Sequence, residues 1–254
     1  MNITNLYDEQ IPCEADSETG LPVGPLLANP APAKWPERIA LDGRYCRLEP
    51  IDPVRHRRQL FEASTPADAA RRFRYLFDPV VTSLEEMDSW LEKAAVSEDP
   101  FVFAVVDKKT GRVEGRQNFM RITPAHRSIE IGNIYFGPAI ARTPVATEAN
   151  FLFAKYAFEE LGYRRYEWKC DALNVPSRRA ALRFGFTFEG HFRRAIINKG
   201  RTRDTAWYAM IGEEWPALRA AYERWLDPEN FDGHGQQRSS LGDLTSEALA
   251  LHRS

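Results

Sequence analysis

The first third of the chain predicts a strand followed by three short helices. Residues 44–49 alternate between polar and apolar side chains, which is typical of a strand. Asp52 followed by Pro53 indicates a helix start, because the carboxylate caps backbone N–H groups and proline fits the first turn. Ser83 and Glu86 have the capping-box spacing, and apolar residues then recur every three or four positions. A layer of helices is therefore expected after the first strand.

The spacing then changes to that of strands. Residues 101–106, 113–122 and 129–136 are joined by turn sequences, which predicts an antiparallel meander. From 144 to 161 the pattern is helical and apolar nearly all round, so this helix is expected to be buried against a sheet. A strand, a crossover helix and a returning strand imply parallel neighbours inside an otherwise antiparallel sheet. The remaining predicted elements are strands at 165–171, 186–192 and 205–211 and helices at 176–184 and 213–226.

Proline and glycine separate both ends of the chain from its centre. Residues 1–36 contain six prolines and two glycines. They are expected to form an extended arm without helix or paired strands, because proline donates no backbone hydrogen bond. We predict one domain at 37–227. A tail at 228–254, with glycine, serine and charged residues, is expected to pack loosely.

Composition excludes several classes of protein. The longest apolar run is far shorter than the roughly 20 residues that a membrane-spanning helix needs. With 34 basic and 36 acidic side chains the net charge is −2, so a nucleic acid is not an expected partner. The first 20 residues lack the basic and apolar regions of a secretory signal, and three distant cysteines suit a reducing compartment. The sequence therefore predicts a cytoplasmic protein without a membrane partner.

Several strong catalytic motifs are missing. The sequence contains no phosphate-binding loop, no dinucleotide fingerprint, no H-E-x-x-H and no G-x-S-x-G. The five histidines form no cluster with ligand spacing, so no metal site is expected.

A set of short motifs does occur in a fixed order in the second half of the chain. They are Ile129–Pro138, Thr143–Ala149, Leu161–Arg165, Asn174–Ser177, Arg183–Phe186, Glu189–Gly190, Gly200–Arg201, Asp204–Thr205, Tyr208 and Glu214–Trp215. Together they resemble the GNAT superfamily of acetyl-CoA-dependent N-acetyltransferases, and most closely its branch of ribosomal-protein N-terminal alanine acetyltransferases. The resemblance covers roughly 44–225. It implies an α+β (α/β/α) fold in which helices flank a mixed, mostly antiparallel sheet of about seven strands with a central splay.

The resemblance also implies where acetyl-CoA binds. Its pantetheine arm would add to the sheet at the splay, and its pyrophosphate would lie at the N-terminus of the following helix, where free N–H groups favour an anion. The implied cofactor-binding residues are Phe136, Pro138, Ile140, Arg142, Thr143, Val145, Ala146, Thr147, Asn174, Ser177 and Arg183. The loop departs from the family at Ala141 and Pro144, and Pro144 has no N–H to donate. Two alternatives to ordinary acetyl-CoA binding therefore stay open: a weakened affinity for CoA, or a proline-initiated helix that binds no ligand.

Two residues are catalytic candidates. Ala181 stands where the family often has a tyrosine, so the resemblance implies that Ser177 hydrogen-bonds the leaving sulfur. The alternative is that Asn174 or Ser177 only caps the helix. Glu130 lies between two isoleucines on a strand built for burial, which would raise its pKa and let it accept a proton from an ammonium nucleophile. An outward-facing or salt-bridged glutamate is the alternative.

Three hypotheses follow for the function. The first is an enzyme that transfers acetyl from acetyl-CoA to a primary amine by direct attack in a ternary complex, and it leaves open a peptide N-terminus, an amino acid or a small-molecule amine as acceptor. The second is a degenerate CoA- or partner-binding protein, and the third is a docking module that uses the arm and the last predicted helix. A homodimer is compatible with each. The candidate acceptor-binding residues are Arg116, Asn118, Trp168, Asp204, Trp207 and Tyr208.

Overall fold

The computed structural model describes residues 12–253, apart from the side chain of the last of them. This part of the chain divides into two units, with the boundary between Pro32 and Ala33. Much of the segment on which the prediction about a secretory signal rests, residues 1–11, lies outside the described residues. No helix of the described residues is both long and apolar enough to cross a lipid bilayer.

The first unit contains a small hairpin. Strands β1 (Glu14–Ala15) and β2 (Pro22–Val23) pair antiparallel. The connecting turn is held by the Asp16 carboxylate, which accepts hydrogen bonds from the backbone N and the Oγ1 of Thr19 at 2.8 and 2.6 Å. Gly20 adopts a φ of +68°, which closes the turn. The prediction that this arm has no paired strands is therefore wrong, because side-chain hydrogen bonds in the turn outweigh the proline content.

The second unit is built on a sheet of eight strands: β3 (Leu41–Asp42), β4 (Cys46–Pro50), β5 (Phe101–Asp107), β6 (Arg112–Thr123), β7 (Ser128–Phe136), β8 (Arg165–Asp171), β9 (Thr187–Asn198) and β10 (Arg201–Ile211). Their order across the sheet is β3-β4-β5-β6-β7-β8-β10-β9. All neighbours are antiparallel except β7 and β8, which are parallel. The predicted class, a mixed and mostly antiparallel sheet flanked by helices, is confirmed.

The helices of this unit are α1 (Pro53–Ser64), α2 (Ala69–Arg72), α3 (Leu84–Val96), α4 (Pro144–Lys155), α5 (Val175–Arg183), α6 (Trp215–Leu226) and α7 (Leu241–Arg253). Two of them begin at caps that the sequence predicts: Asp52 accepts hydrogen bonds from two N–H groups of the first turn of α1, and Ser83 accepts one at the start of α3. Helix α4 continues as a π turn, Tyr156–Glu160, before Gly162 adopts a φ of +79°.

The prediction that the tail packs loosely is wrong, because the tail contains α7, which packs against α5 and α6. Leu241 and Leu244 are buried, and Thr245 donates a hydrogen bond to the carbonyl of Arg183 at 3.2 Å. Gly185 has no side chain, and a Cβ there would lie 2.5 Å from Leu218. Apolar residues at helical spacing dock this helix, although glycine, serine and charge dominate the segment before it.

Helix α4 is fixed to the sheet by a buried carboxylate. Glu148 is 4% exposed and accepts hydrogen bonds from the backbone N of Arg44, Tyr45 and Cys46 at 2.7, 2.6 and 2.7 Å. Gly43 leaves room for this contact, because a Cβ there would lie 2.4 Å from the carboxylate. The start of β4 is thereby held against the first turns of α4.

Replacing Glu148 with alanine should leave these three N–H groups without this acceptor; the hydrogen bond from Cys46 is buried and the other two are partly buried. Since an unsatisfied buried donor costs about 1–3 kcal/mol, E148A is expected to lower the free energy of unfolding by about 3 kcal/mol in urea denaturation. The control is E160A, at an exposed position just after α4, for which we expect a change within about 0.5 kcal/mol. Similar stabilities of the two variants would contradict this assignment.

Candidate active site

The central feature of the sheet is a splay between its two parallel strands. Pairing of β7 with β8 runs from Ser128 opposite Arg165 to Ile131 opposite Trp168 and then stops. Asn133, two residues after Ile131, has a φ of +48°. Beyond this point β7 is paired only with β6. The edge of β7 that faces β8 is thus unpaired toward its C-terminal end. A cavity of about 880 Å³ opens at this point.

Part of the cavity wall is formed by the end of β7, the start of α4 and one face of α5. The structure brings seven of the predicted cofactor-binding residues to this wall. They are Phe136, Arg142, Ala146, Thr147, Asn174, Ser177 and Arg183.

The start of α4 presents free backbone donors. Thr143 is the N-cap residue but does not cap, because its hydroxyl donates to the carbonyl of Ile140 at 2.7 Å. The N–H groups of Val145 and Ala146 therefore have no acceptor within the helix, as is usual in a first turn. Pro144 lies at the start of the helix, where a backbone donor is least missed. Free N–H groups at a helix N-terminus fit a phosphate group.

Four predicted cofactor-binding residues do not reach the cavity wall with their side chains. Pro138 is exposed in the turn after β7, and Ile140 and Val145 point into the apolar core. The N–H of Ile140 is also used inside that turn, where it donates to the carbonyl of Gly137 at 3.2 Å. Thr143 turns its hydroxyl back into the same turn. At Val145, only the backbone is left for a ligand.

At the start of α5, Asn174 and Ser177 form the helix cap and also line the cavity. The Asn174 side chain accepts from the Ser177 N at 3.3 Å, so Asn174 caps the helix. The Ser177 hydroxyl oxygen accepts from the Trp168 Nε1 at 3.0 Å, and the hydroxyl also interacts with the Cys170 thiol. Burial raises the pKa of that thiol. Arg183 donates to the Thr147 hydroxyl at 3.2 Å, which ties α5 to α4.

Glu130 is both in the cavity and ion-paired. Its side chain is 3% exposed and lies 3.0 Å from the Lys169 Nζ and 2.8 Å from an Arg121 guanidinium nitrogen. Burial raises the pKa of Glu130 above its usual value, against the opposing effect of the two cations. Lys169 also pairs with Glu167 at 2.6 Å and lies 3.8 Å above the Trp207 ring. A buried carboxylate in the cavity wall is therefore oriented by a network of ion pairs.

Of the predicted acceptor-binding residues, Trp168 lines this cavity. Arg116 instead lines a separate cavity of about 330 Å³ and pairs with Asp78 at 2.5 Å. Asn118 is buried beside it on β6, away from the main cavity wall. The physical reason is that alternate residues of β6 on this side of the sheet face α1 and α3.

The three predicted residues on β10 also lie outside the cavity wall. The Asp204 carboxylate accepts from the Arg194 N at 2.7 Å on the exposed hairpin. Trp207 stacks on Phe192 with ring centroids 4.2 Å apart. Tyr208 is buried, and its hydroxyl accepts from Arg178. Their packing neighbours on β9 and α5 account for each orientation.

Several wall residues were missed by the sequence reasoning. Arg203, next to the predicted Asp204, faces the cavity together with Lys169 and Asp171. The available signal for Lys169 was the alternation of charged and apolar or aromatic residues along β8. The tail also contributes, since Phe231 and residues 235–237 line the cavity and the Trp225 Nε1 donates to Gln237 at 2.9 Å. A further part of the wall comes from the last residue of α2, Arg72, and from Tyr75, Leu76 and Phe77 in the segment after it.

Comparisons with known proteins agree with this geometry. Residues 47–187 match the model of the acetyltransferase (GNAT) domain family. The chain is 33% identical over 86 residues to the uncharacterized N-acetyltransferase YnaD of Bacillus subtilis; the match covers 34% of this chain and spans half the length of that curated relative.

Two solved structures are similar over most of the chain. A GCN5-related N-acetyltransferase from Brucella melitensis is 54% identical, with a TM-score of 0.85 over 87% of this chain and all of that one. An acetyltransferase of the GNAT family from Chromobacterium violaceum is 38% identical, with a TM-score of 0.72 over 78% of this chain and 98% of that one. The fold, the splayed strands and these matches together identify an acyltransferase: the chain belongs to the GNAT family of N-acetyltransferases.

Proposed function

We propose that this protein transfers the acetyl group of acetyl-CoA to a primary amine by direct attack in a ternary complex. The observation that carries the proposal is the unpaired edge of β7 next to the uncapped start of α4, in one cavity with Glu130 and Ser177. When bound, acetyl-CoA supplies the acetyl group as an activated thioester. A peptide N-terminus, as in the ribosomal-protein branch, is one acceptor that this function allows.

The chain's own backbone is suited to hold the CoA moiety. The free edge of β7 offers hydrogen-bonding groups to an extended amide chain, as a neighbouring strand would. The first turn of α4 offers the N–H groups of Val145 and Ala146 to phosphate oxygens, and Arg142 adds a positive charge at the same place. Arg183, on α5, lines the same part of the cavity wall.

Glu130 is suited to accept the proton of the incoming amine. An amine enters as an ammonium at neutral pH and must lose a proton before it can attack. A carboxylate whose pKa is raised by burial is a better proton acceptor than an exposed one. Lys169 and Arg121 keep this carboxylate oriented in the wall of the cavity.

Ser177 is suited to hydrogen-bond the leaving sulfur. Its oxygen accepts the Trp168 N–H, and its hydroxyl proton, which has the Cys170 thiol as a neighbour, can be donated to a sulfur that enters the cavity. A donor placed where negative charge develops lowers the barrier, because the interaction is stronger in the transition state than before it. Ala181 is fully buried behind it and supplies no alternative acid.

CoA should stabilise the protein against heat. A ligand that binds only the folded state, present at a hundredfold excess over its dissociation constant, adds about 2.7 kcal/mol to the free energy of unfolding. We expect a clear rise of Tm with CoA or acetyl-CoA in a thermal-shift assay, and a much smaller rise with inorganic pyrophosphate at equal concentration. Release of free thiol from acetyl-CoA in the presence of an amine panel tests the transfer itself. An unchanged Tm in millimolar CoA would refute the cofactor assignment.

Replacing Ser177 with alanine should lower kcat on the order of a hundredfold and leave the KM for acetyl-CoA nearly unchanged, as expected for a transition-state interaction. Steady-state thiol release measures both constants. The control S83A removes a helix cap far from the cavity, so it should cost about 1 kcal/mol of stability without changing kcat. A kcat of S177A equal to that of the wild type would show that Ser177 has only a structural role.

Replacing Glu130 with glutamine should lower kcat/KM and flatten the acidic limb of its pH profile. The sign follows from the raised pKa: the wild-type base is lost as the pH falls through that pKa, whereas glutamine does not titrate. Part of the rate should return at high pH, where free amine is abundant. The raised pKa also means that wild-type stability relative to E130Q falls as the pH rises above about 4.3, so E130Q should remain folded at neutral pH.

The matched control is E167Q, which alters the same ion-pair network without lining the cavity. It should keep the acidic limb of the profile. If E130Q and E167Q have identical pH profiles, Glu130 does not act as the base.

A further inference from the structure

Arg203 is a buried cation whose guanidinium is not held in an ion pair, although Asp171 and Glu130 are near enough to interact with its charge. The residue is 5% exposed, and its Nε is buried with no hydrogen-bond partner. Among residues 12–253, none of the ion pairs involves its guanidinium. Its packing contact is the Phe77 ring, whose centroid lies 5.1 Å from the guanidinium carbon. Burying an unpaired charge is unfavourable, so this arrangement calls for an explanation.

A second buried arginine in this fold, unlike Arg203, has its charge neutralised by an ion pair. Arg116 is also buried, and it pairs with Asp78 at 2.5 Å and donates to the carbonyl of Asn133 at 2.9 Å. It lines a cavity away from Glu130 and Ser177. Arg203, in contrast, faces the main cavity, where an incoming molecule can supply the missing charge.

Arg203 lies where the main cavity meets a second one of about 450 Å³. Tyr75, Asp171 and Arg203 line both. The second cavity has a cationic wall, with Asp171 as its single carboxylate in the described part of the chain. The cations are Arg74, Lys199, Arg201 and Arg203. An approach lined by positive charge attracts anions and raises their local concentration.

The position of Arg203 also relates it to the proposed chemistry. Its charge interacts with Glu130, Asp171 and Cys170, and Cys170 in turn contacts the Ser177 hydroxyl. Arg203 lines the same cavity as Glu130 and Ser177, the groups proposed to act on the amine and the sulfur. The N–H groups suited to CoA phosphates are at the start of α4, whereas Arg203 also borders the second cavity, so its guanidinium is available to the acceptor.

We propose that the acceptor is an amine that also carries a carboxylate, and that this carboxylate pairs with Arg203 while the amine faces Glu130. The planar guanidinium fork matches a carboxylate in two parallel hydrogen bonds, which would satisfy the buried Nε as well. A free amino acid supplies such a group at its α-carboxylate, and a peptide supplies it in an acidic first residue. The inference rests on the proposed acetyl transfer.

The balanced reaction defines what is measured. The bond between the amine nitrogen and the acetyl carbon forms, and the bond between the acetyl carbon and sulfur breaks. Starting from an ammonium, one proton leaves through Glu130 to solvent and a second ends on the CoA sulfur with the help of Ser177. The products are an N-acetylated acid, free CoA thiol and one proton, so the release of thiol reports each turnover.

The experiment compares acceptors that differ only in the carboxylate. One arm uses L-amino acids against their α-amides, and the other uses dipeptide amides that begin with aspartate against those that begin with asparagine. We expect the wild type to prefer the acid by at least tenfold in kcat/KM in one arm, which also identifies the source of the carboxylate. R203Q should abolish that preference and leave the KM for acetyl-CoA unchanged. R193Q, at an exposed arginine of β9 that lines neither cavity, should retain it.

The other possible results separate a failure of this inference from a failure of the proposed function. Equal rates with acids and amides in both arms would overturn the inference while the acetyl transfer stands. If no acceptor releases thiol, the proposed function fails, and the inference is then tested by binding: at least one acid of the two arms must raise the Tm of the wild type more than its amide counterpart does and must not raise that of R203Q, and equal shifts would overturn it. A Tm of R203Q well below that of the wild type without ligand would assign Arg203 a structural role instead, because removing an unpaired buried charge should not destabilise the fold.

Discussion

The structure depends on where the parallel pairing of β7 and β8 stops. Backbone N–H and C=O groups inside a sheet normally find partners in the neighbouring strand, and the end of pairing after Ile131 and Trp168 leaves several of them open. Gly132 permits the departure, because a Cβ there would lie 2.5 Å from the Met120 sulfur, and Asn133 completes it with its positive φ. The open edge, the start of α4 and the start of α5 then face one space.

A helix end that is kept free for a ligand has to be held in position by other contacts. Helix α4 is held by Glu148, which binds the backbone of β4, and by Phe153, which stacks on Phe119 of the central strand with ring centroids 3.9 Å apart. Both contacts lie within or beyond the second turn, so they fix the helix without using the N–H groups of Val145 and Ala146. Rigid support behind a site keeps its donors aimed, and it reduces the ordering that binding has to bring about.

Local elements were predictable because their signals are local. Caps at Asp52 and Ser83 and the apolar period of α4 depend on neighbouring residues only. The acceptor side was not predictable in the same way, because a β-bulge between Arg203 and Thr205 shifts the register of β10 against β9. The predicted strand began at residue 205, so neither the extension of β10 through Arg203 nor the bulge was expected. The motif of the resemblance pointed to Asp204, whose side chain turns to the backbone of the hairpin, instead of its neighbour.

The charges around the cavity form one electrostatic system. Across neighbouring strands, Arg121, Glu130, Lys169, Glu167, Arg165 and Glu189 alternate in sign, each paired with the next. Because this row has equal numbers of cations and anions, Glu130 enters the cavity already compensated. Arg203 then adds a positive charge that nothing in the row offsets. An acceptor with only an ammonium group would meet that charge without relief, whereas one that also carries an anion can place its ammonium toward Glu130 and its anion toward Arg203.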